Sequence, residues 1–117
     1  GHILAEVARL RIVFIETTEF VRAIRNADVL FMLRLQKERF EDPAMYEQEK
    51  GLYVLNRESL QHAKHRMIIM HPLPRNEEIA VEVDSDPRAA YFDQSDNGPL
   101  VRMALLDLLL RDNENWS

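Results

Sequence analysis

The sequence predicts an α/β fold in which a parallel sheet forms the middle of three layers and helices cover both of its faces. Apolar runs typical of strands alternate along the chain with segments typical of helices, as in repeated strand–helix units. Two of these runs lie at residues 28–33 and 66–70, and the first is almost continuously apolar, which is expected of a strand buried on both faces. With 117 residues, 46% of them apolar, the chain corresponds to one domain.

The amino-terminal part is predicted to contain a helix, a strand and a second helix. Residues 3–8 favour a short helix, and the apolar segment 11–15 favours a strand. Thr17 or Thr18 can cap the second helix, because a side-chain oxygen there accepts a bond from an N–H of the first turn. That helix carries three apolar residues on one face: Phe20, Val21 and Ile24.

The middle of the chain predicts a buried strand, a charged loop and two further helices. The strand at 28–33 leads into the charged loop at 34–42. Proline suits the first turn of a helix, so we expect a helix over residues 43–49. A short apolar stretch at 52–55 follows, and Asn56 can cap a helix over residues 56–64.

The last third of the chain begins with the third predicted strand, at 66–70. Residues 75–86 show little periodicity and are predicted to form a long functional loop. Residues 88–94 favour a helix, and Pro99 opens a last helix that ends near Arg111. Three strands are few for such a sheet, which indicates that the chain holds part of a larger domain.

The last helix is apolar around nearly its whole circumference. A surface helix keeps an apolar stripe about 100° wide, so this helix is expected to pack on two sides. It is either a central core helix of this chain or a helix with one face reserved for another domain. Its apolar residues are Leu100, Val101, Met103, Ala104, Leu105, Leu106, Leu108, Leu109 and Leu110.

The composition excludes several classes of protein. A net charge of -5 argues against general affinity for nucleic acid. The sequence contains no cysteine, so disulfide and thiolate chemistry are excluded, which fits a reducing cytosol. No apolar run approaches the ~20 residues of a membrane span, and no signal peptide is visible. We therefore expect a cytoplasmic protein that binds neither nucleic acid nor membrane.

Arg34 and Gln36 follow a predicted buried strand and lie two residues apart. Arginine offers a planar fork that matches a carboxylate, and glutamine offers both a donor and an acceptor. The pair suits an amino acid that carries carboxylates and an amine, although a solvated charged loop explains the same residues. Arg39 is expected to pair with Glu77 across two loops.

The segment Met-His-Pro-Leu-Pro-Arg at 70–75 is the most distinctive motif of the chain. An apolar strand there meets two prolines, so the chain leaves the sheet as a rigid loop. Such a loop holds its carbonyl oxygens still, and fixed carbonyls are good acceptors for the N–H groups of a ligand. Pro72, Leu73 and Pro74 therefore form either a ligand-binding loop or a rigid structural turn.

His62 and His65 lie close together on a predicted helix. Two histidines can ligate a metal, but no carboxylate or cysteine companion is evident. We expect a solvated pair and no metal site.

Six segments in unbroken order, between about Asp28 and Leu110, resemble the aspartate carbamoyltransferase family. This family joins carbamoyl phosphate to aspartate in pyrimidine biosynthesis. The sister ornithine carbamoyltransferases usually have cysteine where this chain has Pro72, so the resemblance favours aspartate as the acceptor. The segments are RLQKER at 34–39, MHPLPR at 70–75, EI at 78–79, EVD at 82–84, DPRAAYF at 86–92 and VRMALL at 101–106, and Gln94, Asn97 and Gly98 between the last two belong to the same resemblance.

The resemblance covers only the carboxyl-terminal part of the family's second domain. The Ser-Thr-Arg-Thr phosphate-binding motif and the Arg-Met-Pro motif are absent from this sequence. Residues 1–117 are therefore expected to form a partial aspartate-binding domain without the carbamoyl-phosphate-binding domain. In the family, the helix equivalent to the last helix packs against that missing domain.

The resemblance also implies a role for each candidate residue. Arg34 would hold the side-chain carboxylate of aspartate, and Gln36 would help position its amine. The carbonyls of Pro72 and Leu73 would accept from the carbamoyl NH₂ group, and the Leu73–Pro74 bond would be cis. His71 would be mainly structural, because the catalytic histidine lies in the absent domain. No catalytic residue, metal or organic cofactor is implied for this half, and the expected assembly is a homotrimer.

Two functions of different classes remain open from the sequence. The first is part of a working aspartate carbamoyltransferase that is inactive without its other domain. The second is a non-catalytic binding or structural module derived from the family. Arg34, Gln36 and the segment 72–74 favour the first.

Overall fold

The computed structural model describes residues 7, 9–10 and 12–111. Two short 3₁₀ helices, Lys37–Arg39 and Val81–Ser85, lie in the loops that follow the strands. The helix predicted over residues 3–8 lies outside the described residues apart from Val7. The helices and strands are α1 (Phe20–Arg25), β1 (Val29–Phe31), α2 (Pro43–Glu49), α3 (Arg57–Leu60), β2 (Ile68–Met70) and α4 (Tyr91–Arg111).

The two strands are adjacent and parallel, and the α/β class is confirmed. Their register pairs Val29 with Ile68 and Phe31 with Met70. The ladder continues beyond β1, where the Met32 N–H donates to the Met70 carbonyl at 2.9 Å. Both strands therefore end at the same edge of the sheet, and the loops that follow them begin side by side.

One face of the sheet is covered and the other is open. Leu30 and Ile69 pack into the core. Val29, Phe31 and Ile68 on the other face are 53%, 49% and 47% exposed. The prediction that the strand at 28–33 is buried on both faces is therefore wrong for the described chain, because no described element covers that second face.

The strand predicted at 11–15 is also wrong in its described part. Residues 12–15 form no strand, and Val13 and Ile15 are 92% and 86% exposed. The segment has the composition of a strand, but a strand needs a neighbour to satisfy its backbone N–H and C=O groups. No described segment pairs with it.

Buried side chains cluster against the covered face of the sheet. Full burial of an apolar side chain stabilises a protein by about 1.5–3 kcal/mol. Two members of the cluster, Ile79 and Val83, come from the predicted functional loop at 75–86, which is therefore anchored in the core. The cluster contains Met32, Leu55, Leu60, Met67, Ile69, Ile79, Val83 and Tyr91.

Side-chain caps fix the starts of two helices where the sequence predicted them. The Asp42 side chain accepts a first-turn N–H of α2 at 2.8 Å, directly before Pro43. Asn56 and Ser59 cap α3 reciprocally, each side chain accepting the other's backbone N–H at 2.8 and 3.0 Å. The helix expected after Thr17 or Thr18 is α1, but the predicted cap is wrong: the N-cap is Glu19, no side chain caps the helix, and the Thr17 hydroxyl accepts only the Glu19 N–H, at 3.1 Å.

Helix α3 ends at Leu60, one turn before the predicted end at residue 64. Arg88 occupies the carbonyls at this end, since its Nη1 lies 3.2 Å from the Leu60 oxygen and 3.4 Å from the Lys64 oxygen. Asp86 holds the same guanidinium through two bonds of 2.8 Å. The side-chain hydrogen bond from Arg88 lowers the pKa of Asp86.

Helix α4 is continuous from Tyr91 to Arg111, so the predicted division into two helices is wrong. Residues 88–90 are extended instead, because Ile69 accepts the Ala90 N–H at 2.9 Å and donates to the Arg88 carbonyl at 2.8 Å. Pro99 lies inside the helix. A proline there removes one backbone bond, but the turns on both sides continue the helix.

The carboxyl-terminal half of α4 is exposed. The possibility that it is a central core helix of this chain is therefore excluded for the described structure. In the part of the chain that the structure describes, no helix has the length and apolar character needed to cross a membrane. The side chains more than half exposed are Leu100, Val101, Met103, Leu105, Leu106, Leu108, Leu109 and Leu110.

Candidate functional site

The loops that follow β1 and β2 enclose a cleft of about 380 Å³ at the carboxyl edge of the sheet. All five predicted substrate-binding residues line it: Arg34, Gln36, Pro72, Leu73 and Pro74. Leu33, Arg39 and His71 complete the lining. The parallel register brings the two groups together, although 35 or more residues separate them in sequence.

The cleft carries positive charge and no carboxylate among its lining residues. Its two charged side chains are Arg34 and Arg39. Arg34 forms a loose ion pair with Glu38, with 3.9 Å between Nη2 and Oε1. This distance is longer than an N–H···O hydrogen bond, and exposed pairs contribute only ~0–1 kcal/mol. The guanidinium fork of Arg34 is therefore available to an anionic ligand.

The predicted Arg39–Glu77 pair is wrong. Glu77 instead lies 3.6 Å from Lys50, which also pairs with Glu47 at 2.8 Å. Glu77 is therefore paired with Lys50, just after α2. Arg39 instead belongs to the lining of the cleft.

Residues 71–74, in the loop that follows β2, have no backbone N–H left for a ligand. Pro72 and Pro74 have no N–H, and the two remaining N–H groups of residues 71–74 are already bonded. The His71 N–H donates to Gln94 Oε1 at 3.0 Å, and the Leu73 N–H donates to His71 Nδ1 at 2.8 Å. In the described residues, no group donates to the carbonyls of this segment. A ligand must therefore bring an N–H or O–H donor.

The backbone of this loop has an unusual shape. The Leu73–Pro74 bond is cis, as the resemblance implied, and Leu73 has a φ of 49°. A bulky residue in this left-handed region is a genuine outlier. The bond from the Leu73 N–H to His71 stabilises that conformation.

His71 is buried and held from both ring nitrogens. Its ring is 1% exposed, and Nε2 lies 2.8 Å from Glu78 Oε1. Because Nδ1 accepts the Leu73 N–H, the ring proton lies on Nε2, which donates to Glu78. The arrangement fits the structural role expected for His71.

A hydrogen-bonded cluster immediately after the loop connects Arg75, Asp84 and Tyr91. Arg75 Nη2 donates to Asp84 Oδ2 at 2.6 Å, and the Tyr91 hydroxyl donates to Oδ1 of the same carboxylate. The hydrogen bond from Arg75 lowers the pKa of Asp84. Burial, followed by the hydrogen bond to Asp84, raises the pKa of Tyr91 to about 12.

Sequence reasoning placed Glu78 only in a set of charged residues joining two loops and assigned no role to Gln94, although both belong to the resemblance. Each contacts His71 from a distant position, 7 and 23 residues away. No periodicity links such positions, so only the resemblance marked them. His62 and His65 are exposed, and the described residues contain no group of side chains that could hold a metal ion.

Comparison with known proteins identifies the family. Residues 5–109 match the model of the aspartate/ornithine carbamoyltransferase Asp/Orn binding domain. The chain is 50% identical over 99 residues to the aspartate carbamoyltransferase catalytic subunit of Bifidobacterium longum, covering 85% of this chain and 31% of that protein. The chain thus spans about a third of the length of the curated relatives it matches.

Solved structures agree. The catalytic subunit of M. jannaschii aspartate transcarbamoylase superposes with a TM-score of 0.85 at 44% identity, over 96% of this chain and 37% of that one. The Trypanosoma cruzi enzyme in complex with carbamoyl phosphate and aspartate gives a TM-score of 0.76 at 39% identity, over 90% and 34%. The chain therefore belongs to the aspartate/ornithine carbamoyltransferase family and corresponds to its Asp/Orn binding domain.

Proposed function

We propose that this chain supplies the amino-acid-binding half of an aspartate carbamoyltransferase active site. In this reaction the amine of L-aspartate attacks the carbamoyl carbon of carbamoyl phosphate, and N-carbamoyl-L-aspartate and phosphate are formed. One observation carries the proposal: a loop segment without a free backbone N–H lines the same cleft as an arginine whose fork is available. The cleft thus pairs a site for an N–H donor with a site for an anion.

Arg34 and Gln36 are proposed to bind aspartate. The planar guanidinium of Arg34 suits a bidentate contact with the side-chain carboxylate. Gln36 follows on the same loop and can orient the amine through its amide oxygen. Arg39 adds a second positive charge to the lining, which favours a dicarboxylate over the cationic side chain of ornithine.

Pro72, Leu73 and Pro74 are proposed to bind the carbamoyl group. The carbonyls of Pro72 and Leu73 would accept from the carbamoyl NH₂, and Pro74 would fix the loop. Positioning of the two reactants and stabilisation of the developing oxyanion can supply much of the rate. The departing phosphate can take the proton, so this half needs no nucleophile, metal or organic cofactor.

The proposed activity depends on a carbamoyl-phosphate-binding domain in addition to these 117 residues, and these residues alone are expected to be inactive. We propose a homotrimeric assembly in the cytoplasm. The exposed half of α4 and the open face of the sheet leave apolar surface for contacts with other domains. The absence of cysteine from the sequence supports a reducing compartment.

A chimera tests the proposal. This chain replaces the matching region of the M. jannaschii catalytic subunit, and the resulting protein is the parent chimera. The Arg34→Ala variant of the chimera is then compared with the parent chimera. Loss of a charge-assisted contact is expected to raise the KM for aspartate about 10- to 150-fold. The KM for carbamoyl phosphate should change little.

Arg66→Ala is the matched control, since Arg66 is exposed and lies outside the cleft. Unchanged aspartate kinetics in Arg34→Ala would contradict the assignment of Arg34. A folded parent chimera without carbamoyl transfer would instead favour the non-catalytic module.

A further inference from the structure

We propose that His71 and Glu78 act as a positioning pair that holds the Pro72–Leu73 peptide group in place, so that the Pro72 carbonyl accepts from the carbamoyl NH₂ group. The inference rests on the proposed function and adds two residues to it that do not contact the substrate. His71 acts through the Leu73 backbone, and Glu78 acts through the His71 ring.

The first step of the argument is the ring orientation. The distance from the Leu73 nitrogen to Nδ1 is 2.8 Å, and a backbone N–H can only donate. Nδ1 must therefore present a lone pair, and Nε2 must carry the proton. Glu78 Oε1 receives that proton's hydrogen bond at 2.8 Å, which fixes both the tautomer and the plane of the ring.

The second step is the anchoring of Glu78. Its backbone carbonyl accepts the Leu55 N–H at 2.9 Å, and Leu55 and Ile79 are buried in the core. Its carboxylate also accepts the Asn76 N–H, at 3.1 and 3.2 Å from the two oxygens. The ring of His71 is thus tied to the core through a short, rigid connection.

The third step is the conformation of Leu73. Its φ of 49° is costly for a leucine and needs compensation from its surroundings. The hydrogen bond to His71 supplies that compensation and removes the one free donor beside the carbonyls. Without it, the Pro72–Leu73 peptide group could rotate and turn the Pro72 carbonyl away from its acceptor position.

His71 itself is not expected to exchange protons with substrate. Both of its ring nitrogens are engaged, and its side chain is 1% exposed. A function in positioning therefore accounts for the burial of a polar ring at the edge of a ligand cleft.

Two substitutions at position 71 separate the hydrogen bond of Nδ1 from that of Nε2. Asparagine at position 71 keeps an oxygen that can accept the N–H two residues on, as in an Asx-turn, but it loses the contact with Glu78. Glutamine keeps an N–H near the position of Nε2 but loses the acceptor for Leu73. The comparison of His71→Asn with His71→Gln therefore isolates the Leu73 bond.

The readout is binding of carbamoyl phosphate against acetyl phosphate, measured by calorimetry on the chimera without aspartate. The two ligands differ in the NH₂ group that the loop would recognise. We expect His71→Gln to lower the preference for carbamoyl phosphate about ten-fold and to leave acetyl phosphate binding unchanged. His71→Asn and Glu78→Gln should retain most of the preference, and Glu78→Ala should reduce it.

Several results would overturn the inference. One is an unchanged preference in His71→Gln, and another is an equal loss of both ligands, which would make His71 merely structural. A nitrogen NMR spectrum of the unsubstituted protein that places the ring proton on Nδ1 would do the same, even if every variant misfolds. If the parent chimera has no preference for carbamoyl phosphate, the proposed function of the loop fails, and not only the role of His71.

Discussion

Pro72 and Pro74 matter as much for the N–H groups they lack as for the backbone angles they fix. Because the N–H groups of His71 and Leu73 are also bonded, the backbone of residues 71–74 has only carbonyl oxygens left for a ligand. The acceptor character of the prolines follows from sequence alone. The engagement of the Leu73 N–H does not, because it depends on a ring oriented by Glu78, whose position is set by the core.

Tyr91 offers a test of the cluster that follows this loop. Its pKa is raised to about 12, so the folded state retains a proton that the unfolded state loses near pH 10. The stabilisation is complete below about pH 10 and is lost as the pH rises toward 12. The urea midpoint of the chain should therefore fall between about pH 9 and about pH 11 by more than that of Tyr91→Phe.

Tyr53→Phe serves as the control, because it removes a tyrosine that does not belong to the cluster of Arg75, Asp84 and Tyr91. The fall of the urea midpoint at alkaline pH should therefore be unchanged in this variant. Identical alkaline behaviour of Tyr91→Phe and the parent would show that Tyr91 does not retain its proton. On the acid side, the lowered pKa of Asp84 gives stabilisation that is present above its unfolded pKa and lost as the pH falls through the folded value.

At the scale of elements, local chemistry fixed the starts of helices better than their ends. Pro43 and Asn56 are recognisable in sequence because a cap acts within one turn. The end of α3 is set by Arg88, which is 28 residues from Leu60 and outside any local window.

Asn56→Ala should lower the free energy of unfolding by about 1 kcal/mol, because it removes the acceptor for the Ser59 N–H. Asn56→Asp keeps an acceptor and should lose much less. Urea denaturation of the three proteins measures the difference. Equal losses in the alanine and aspartate variants would show that the cap contributes nothing to stability.

Strands and the long helix show why the rest of the fold was less predictable. Residues 12–15 have a strand's composition but lack a described partner, and β-structure depends on partners that the sequence does not specify. The start of α4 is likewise set from outside, since β2 binds residues 88–90 as extended chain. The sequence alone does not reveal these bonds to β2. Without them, Pro99 is predicted as the start of a helix and not as a residue inside one.

At the scale of the whole molecule, the described chain has a core on one side and exposed apolar surface on others. Eight large apolar residues in the carboxyl-terminal half of α4 and three on the open sheet face are each 47% exposed or more. Contiguous apolar patches beyond a few hundred Å² usually mark an interaction site or an aggregation risk. The sequence indicated this for α4, because its apolar residues exceed one stripe, but not for the sheet.

The 117-residue chain is therefore expected to self-associate in solution. Light scattering should detect species heavier than the 13.8 kDa monomer, and a carbamoyl-phosphate domain added in trans should dissolve them. The double variant Leu106→Lys, Leu110→Lys places charges on one exposed face of α4 and should reduce the association. A stable, monodisperse monomer of the unsubstituted chain would favour a self-sufficient module over half of an active site.

The division of α4 also predicts an uneven tolerance to substitution along one helix. Its first turn contributes Tyr91 to the core and Gln94 to the His71 backbone, whereas residues 100–110 are exposed in the described chain. In a library of single substitutions selected only for folding of this segment, few changes should therefore be tolerated in the first turn of α4. Most changes should be tolerated in its last three turns. When the library is selected for carbamoyl transfer in a complete enzyme, few substitutions should be tolerated at either end of α4. The difference between the two maps would outline the surface that the proposed carbamoyl-phosphate-binding domain covers.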